Sequence, residues 1–143
     1  MRYTARMSDT TADAPSITGV DFVTLPTTDI AAAEHFYGTV LGLPFLKRWG
    51  EMPGVEFQAG NLTIAIMDPT AFGQEFRAHG VPLALAVDDV AAAREQLQAR
   101  GVTFVTEVFD SGVCHQAIFR DPSGNSLGLH HRYMPPTVPP TAD

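Results

Sequence analysis

The run Phe119-Arg120-Asp121-Pro122-Ser123-Gly124-Asn125-Ser126-Leu127-Gly128-Leu129-His130 holds the densest structural signal in the chain. An alternating segment, Cys114 to Arg120, enters it, and a second, Ser126 to His131, leaves it. Proline after Asp121 fixes φ for a turn, and Gly124 or Asn125 can take positive φ. Two strands joined as a hairpin are expected here, with the turn chemistry specified locally.

Upstream of this hairpin the chain repeats itself. Gly19 to Leu25 reads as a strand ended by Pro26, and Thr28 or Asp29 caps a helix through about Val40. Ile30, Ala33, Phe36, Tyr37 and Val40 or Leu41 give that helix its apolar stripe, and Gly42 stops it. Strands follow from Leu43 through Arg48, over Val55 to Ala59 and over Leu62 to Met67, with Gly60-Asn61 as the last turn. After a polar connection the pattern restarts. Pro82 to Val87 is strand-like, Asp88 or Asp89 caps a helix through Ala99, Gly101 stops it, and Val102 to Val108 reads as a strand before the turn at Asp110-Ser111-Gly112. Asp29-Ile30-Ala31-Ala32-Ala33 recurs sixty positions on as Asp89-Val90-Ala91-Ala92-Ala93. Gly60-Asn61 matches Gly124-Asn125 at a spacing of sixty-four. Each unit is β-α-β-β-β, too small to bury its own sheet, so the two must share a core.

The hairpin resembles the last hairpin of the vicinal-oxygen-chelate superfamily, the glyoxalase, bleomycin-resistance and extradiol-dioxygenase group. Leu25-Pro26-Thr27-Thr28-Asp29, Phe36-Tyr37 and Leu41-Gly42-Leu43 extend the likeness to the first unit, so that it covers roughly Ile17 to Tyr133. The resemblance implies an α+β fold in which two tandem βαβββ modules form a curled mixed sheet around a cavity, with the helices outside. Module one spans 17–68, a connection 69–80 and module two 81–133 of a single domain, 17–133. A flexible tail, 1–16, precedes it, with neither a signal peptide nor a membrane span in its composition, and a Pro-rich tail, 134–143, follows.

The resemblance also implies where a divalent metal would sit. The family's first histidine, seven residues before the helix-capping Asp, falls at Phe22, and its repeat counterpart at Pro82. The acidic ligand three residues after Asn125 falls at Gly128, and the spacing of sixty-four places its counterpart at Ile64. None of these four side chains carries a donor atom, whereas a catalytic metal needs about three imidazole, carboxylate or thiolate ligands. Neither metal nor cofactor is expected. His130 and His131 point to opposite faces of one strand, as do Cys114 and His115, and cannot chelate one ion together.

Composition narrows the partners. Sixteen acidic residues against nine basic ones give a formal charge of −7, which argues against a phosphate-backbone ligand. The single cysteine, Cys114, excludes an intramolecular disulfide and suits a cytoplasmic protein. With the vacated ligand positions taken as inward, the expected ligand-binding residues are Phe22, Thr24, Trp49, Ile64, Gln116, Ile118, Ser126 and His130. Trp49, in the loop after strand two, can stack on a planar ligand. Mostly apolar walls with scattered hydrogen-bonding groups suit a small-molecule pocket. The expectation is metal-independent binding of a small hydrophobic or aromatic molecule, bleomycin-resistance-like, by a homodimer with no nucleic-acid or membrane partner. The alternative is a glyoxalase/lyase- or dioxygenase-like enzyme with a relocated metal among His115, His130 and Glu107, or with His130 as acid–base group.

Overall fold

The structure, a computed structural model, describes residues 13–135. The expectations for 1–12 and 136–143 lie outside the described residues. Module one runs β1 (Phe22–Pro26), α1 (Ile30–Glu34), β2 (Phe45–Arg48), β3 (Gly54–Ala59) and β4 (Leu62–Met67). Module two runs β5 (Leu83–Ala86), α2 (Val90–Ala99), β6 (Phe109–Asp110), β7 (Cys114–Arg120) and β8 (Ser126–Arg132). Each forms a four-stranded mixed sheet, ordered β1-β4-β3-β2 and β5-β8-β7-β6, with the first strand parallel to the last. This is the expected α+β architecture of two tandem βαβββ units.

The caps resolve to the second residue of each candidate pair. The Asp29 carboxylate accepts the Ala32 N–H at 3.1 Å, and Asp89 accepts that of Ala92 at 3.0 Å. Past Glu34 the first helix widens into a π-helical stretch, His35–Val40, closed by Leu41 N–H to Phe36 C=O at 2.8 Å. Widening turns two adjacent aromatics, Phe36 and Tyr37, into the core together. Gly38 lets the helix lie against β3, because a Cβ there would stand 3.1 Å from the Phe57 ring.

Two sequence expectations are corrected. Val102 to Val108 is not a strand; the edge strand is Phe109–Asp110, preceded by a lone bridge from Phe104 to Phe119. The reason is local. The Thr106 hydroxyl accepts the Ile118 N–H at 2.9 Å, and Val105 and Thr106 both donate to the Ile118 carbonyl, so the ladder is interrupted by a side chain. The second correction is register. Val23 pairs with Ile64 and Leu25 with Ile66, as Leu83 pairs with Leu127 and Leu85 with Leu129. Ile64 is thus the counterpart of Leu127, and Ala65 that of Gly128. The β3–β4 turn has two residues and the β7–β8 turn five, so a spacing taken from the turns slips by one, which moves a side chain to the other face.

One core joins the modules. On each sheet the alternate residues facing the helices are buried: Leu25, Phe57, Ile64 and Ile66 in the first, Ala117, Phe119, Leu127 and Leu129 in the second. Helix α1 touches both. Tyr37 packs on Phe57 with centroids 6.2 Å apart, and Phe36 on Phe119 at 6.3 Å. The burial of Phe36 contributes roughly 1.5–3 kcal/mol. The Tyr37 hydroxyl donates to the Asp121 carboxylate at 2.6 Å, tying the first helix to the second module's hairpin.

Burial, followed by the charge of Asp121, raises the Tyr37 phenol far above its ordinary 10.0. Between the ordinary and the folded values only the unfolded chain releases this proton. The titration of Tyr37 therefore adds no pH dependence below about pH 10, where its hydrogen bond contributes in full, and stability falls above it, by up to about 1.4 kcal/mol per pH unit. Tyr37→Phe is expected to lower stability by about 2 kcal/mol at pH 8, the range for a hydrogen bond to a charged group. It also removes part of the alkaline slope. Urea unfolding of both proteins from pH 8 to 11 checks the two effects; parallel curves across that range contradict the assignment.

Candidate functional site

The faces of the two sheets away from the helices are open to solvent. On sheet one, β1 presents Phe22 and Thr24, β4 Thr63, Ala65 and Met67, and β3 Glu56 and Gln58, a set fixed by the pairing register. Phe22 is 55% exposed. Trp49, directly after β2, folds back over this face. Its indole lies on Gly54, leaving no room there for a Cβ, and its Nε1–H donates to Glu56 Oε2 at 2.7 Å. Phe72, from the short 3-10 turn Pro69–Phe72, meets the indole edge-on at 6.3 Å. Aromatic rings and one carboxylate thus share a shelf. Glu56, Gln58 and Phe72 were not anticipated from the sequence, although the alternation Val55-Glu56-Phe57-Gln58 carries the signal that would have found the first two.

On sheet two the open face carries Gln116 opposite His130, Ile118 opposite Gly128 and Arg120 opposite Ser126. His130 and Gln116 are half-buried neighbours able to reach one ligand group. Ser126 is 7% exposed and lies four residues from His130 along β8, about 13 Å at the rise of a strand. The three polar groups therefore do not converge; the pair that does is His130 and Gln116.

Of the eight expected ligand-binding residues, Phe22, Thr24 and Trp49 stand together on sheet one, and Gln116, Ile118, Ser126 and His130 on sheet two. Ile64 is a correction. At 1% exposure, paired with Val23, it faces the helices and belongs to the core. The two open-face sets belong to separate sheets whose first strands, β1 and β5, are both edges.

The residues do not fit the family's metal. With the register corrected, the implied ligand positions are Phe22, Ala65, Pro82 and Gly128, again without a donor atom among them. At Gly128 the space is also tight: a Cβ there would stand 3.2 Å from Ile118 Cδ1, which would have to give way, and 3.8 Å from Pro82 Cβ. A relocated site does not assemble either. His115 pairs with His131, on the face opposite His130, and Glu107 is 3.4 Å from Arg94. Among the described residues no group of three or more His, Cys, Asp and Glu side chains is placed to hold an ion. His115 lies instead 3.5 Å from Asp110, whose carboxyl is held below the usual range by the Gly112 N–H and the Tyr133 hydroxyl.

Two βαβββ modules with a shared core and open sheet faces define a class of folds that hosts both enzymes and binding proteins. The family model described as Glyoxalase/Bleomycin resistance protein/Dioxygenase superfamily matches residues 19–129, and the chain belongs to that superfamily. No curated protein sequence matches it. Among solved structures it is similar to a glyoxalase/bleomycin resistance protein/dioxygenase from Nocardioides, at 19% identity and a TM-score of 0.72, over 99% of this chain and 100% of that one. It is similar to TnmS3, an antibiotic binding protein from Streptomyces sp. CB03234, at 25% identity and a TM-score of 0.71, over 83% of this chain and 99% of that one. It is also similar in fold to the lactoylglutathione lyase of Agrobacterium tumefaciens, at 20% identity and a TM-score of 0.67, over 82% of this chain and 96% of that one.

Trp49 is the only tryptophan in the sequence, so its emission reports on the sheet-one face directly. Gly54→Ala is expected to displace the indole, break its bond to Glu56 and shift the emission maximum to the red, with far-ultraviolet circular dichroism unchanged. An unshifted spectrum would place the indole elsewhere.

Proposed function

We propose that this chain is a metal-independent binding protein for an apolar or aromatic small molecule, acting by sequestration or carriage in the bleomycin-resistance manner. The observation that carries the reading is the donor set: Phe22, Ala65, Pro82 and Gly128 stand where the family's ligands would, and Ile118 covers Gly128. Apolar area takes the metal's place. The Trp49–Phe72 shelf offers stacking surface, and Glu56, Gln58 and the Gln116–His130 pair offer hydrogen bonds that orient a ligand. Likeness to an antibiotic binding protein at 25% identity supports the same class. Among the described residues no helix is long and apolar enough to cross a membrane; the cytoplasm as its compartment is a proposal that rests on the single cysteine.

The binding unit in this reading is a homodimer. Ile17, Val20, Phe22 and Val81, at 82%, 69%, 55% and 82% exposure, lie in or just before the free edge strands β1 and β5. A second copy covering them would bring a sheet-one face and a sheet-two face towards each other and complete a pocket. A second reading, catalysis by His130 with Gln116, is favoured by their direct opposition on the open face.

A thermal-shift screen with planar aromatic compounds, cationic ones included, is expected to find ligands that raise Tm by several degrees. A ligand at a hundred times its Kd adds about 2.7 kcal/mol. Ni, Zn, Mn, Fe(II) or EDTA should leave Tm where it was, and near-stoichiometric metal surviving desalting would sink the proposal. His130→Ala is expected to change the affinity of such a ligand by no more than a few-fold. Turnover of a bound compound that this substitution abolishes would establish the enzyme reading instead.

A further inference from the structure

A partly open cavity of about 560 Å3 lies at the seam between the modules, on the helix side of the sheets and around the edge strand β5, whose exposed Ala84 and Ala86 also line it. Both modules wall it: Val23 and Ile64 from sheet one, Leu85 and Leu129 from sheet two, Leu43 after α1 and Leu97 of α2. No aromatic and no charged residue lines it, and the polar side chains there are Gln96 and Asn61. Its volume falls within the roughly 300–1,000 Å3 of ligand pockets.

The internal repeat accounts for the space. Asp29 and Asp89 cap their helices at equivalent positions, so Phe36 and Tyr37 of the first helix correspond to Gln96 and Leu97 of the second. Phe36 is 7% exposed and reaches across to Phe119, filling its side of the seam. Gln96 is exposed and brings no ring, so the equivalent volume beside α2 stays open. The strand beneath shows the difference. Leu25 is 1% exposed and Ala33 3%, whereas their counterparts Leu85 and Ala93 are only half-buried.

We propose that the seam cavity binds an uncharged aliphatic molecule of medium length, with one polar end at Gln96 and Asn61. The lining selects this class. Without aromatic rings it offers no stacking partner, and without a charged side chain it offers no counterion, so a charged ligand would enter unpaired. The volume holds roughly 18 non-hydrogen atoms at the 30 Å3 each occupies in liquid water, which suits a chain of about ten to fourteen carbons. The site shares no residue with the Trp49–Phe72 shelf of sheet one, and either can fail without the other.

The test is a titration of the full chain, labelled with 13C at Ile, Leu and Val methyl groups, with 1-decanol below its solubility limit. Saturable one-to-one shifts are expected at Val23, Ile64, Leu85, Leu97 and Leu129, with Ile118 on the open face unmoved. Gln96→Phe restores the ring of module one at a solvent-exposed position, and should weaken decanol binding at least tenfold while leaving the remaining methyl spectrum intact. Shifts scattered over the surface, shifts centred on Ile118, or undiminished binding to Gln96→Phe would each overturn the proposal. So would seam methyls that move with protein concentration and ignore decanol, since a second copy of the chain would then occupy the seam.

Discussion

Asp121 is 6% exposed, and its carboxylate gathers four donors. One oxygen takes the Tyr37 hydroxyl at 2.6 Å and the Asn125 side-chain amide at 2.8 Å; the other takes the N–H groups of Ser123 and Asn125, both at 2.9 Å. A carboxylate withdrawn from water costs several kcal/mol unless its lone pairs are met, and here they are met from both modules. Asn125 extends the grip, donating to the Pro26 carbonyl at 2.7 Å and accepting the His79 N–H at 2.8 Å. Ser123 adds a contact to Thr27 at 2.9 Å. The Asp-Pro-Ser-Gly-Asn turn thus closes a hairpin and, with the same atoms, fixes the end of β1, the connection and α1. Docking of one module on the other follows from that dual use, and the aromatic packing of Phe36 on Phe119 sits directly beside it.

The hairpin and the repeat were legible because their signals are local. Pro122, Gly124 and the two capping aspartates act within a few residues of themselves. What was not legible depends on distance in the sequence. In the π-helical stretch after Glu34, the adjacent rings Tyr37 and Phe36 pack on Phe57 and Phe119, which lie on two different sheets. The lost strand at Val102–Val108 turns on a contact twelve residues away: the Thr106 hydroxyl, rather than a backbone group, meets the Ile118 N–H. Periodicity alone carries neither fact.

The site was legible in part, for the same reason. Parity within a strand is local, so Phe22 with Thr24 and Gln116 with Ile118 fall on the faces expected of them. Parity between strands needs the register, and register rests on turn length. Gly60-Asn61 looks equivalent to Gly124-Asn125, yet one is a whole turn and the other the end of a five-residue turn. That difference moves Ile64 from the expected wall into the core and puts Ala65 in its place. The absence of donor atoms at the four family positions survives the correction, because alanine has no more to offer a metal than isoleucine. Trp49 could be assigned to a loop from sequence, but not its landing place on Gly54, which depends on a missing side chain five residues away.

Gly128 and Ile118 together say why this chain is not a metal site with one ligand missing. A glycine at the position where the family carries a carboxylate leaves a notch in the sheet. Ile118 Cδ1 lies over that notch, 3.2 Å from where a Cβ would stand and so closer than ordinary contact, and Pro82 Cβ lies 3.8 Å from the same point. The wall there is apolar, and an acidic side chain in place of Gly128 would meet Ile118. In the proposed binding reading, selectivity on such a wall comes from shape and from a few placed hydrogen bonds. On sheet one those bonds come from Glu56, which is already engaged by Trp49, so a ligand that competes for the carboxylate must also move the indole. In the proposed binding reading, recognition and rearrangement of the aromatic shelf would be one event, separating ligands that stack on Trp49 from those that reach Glu56.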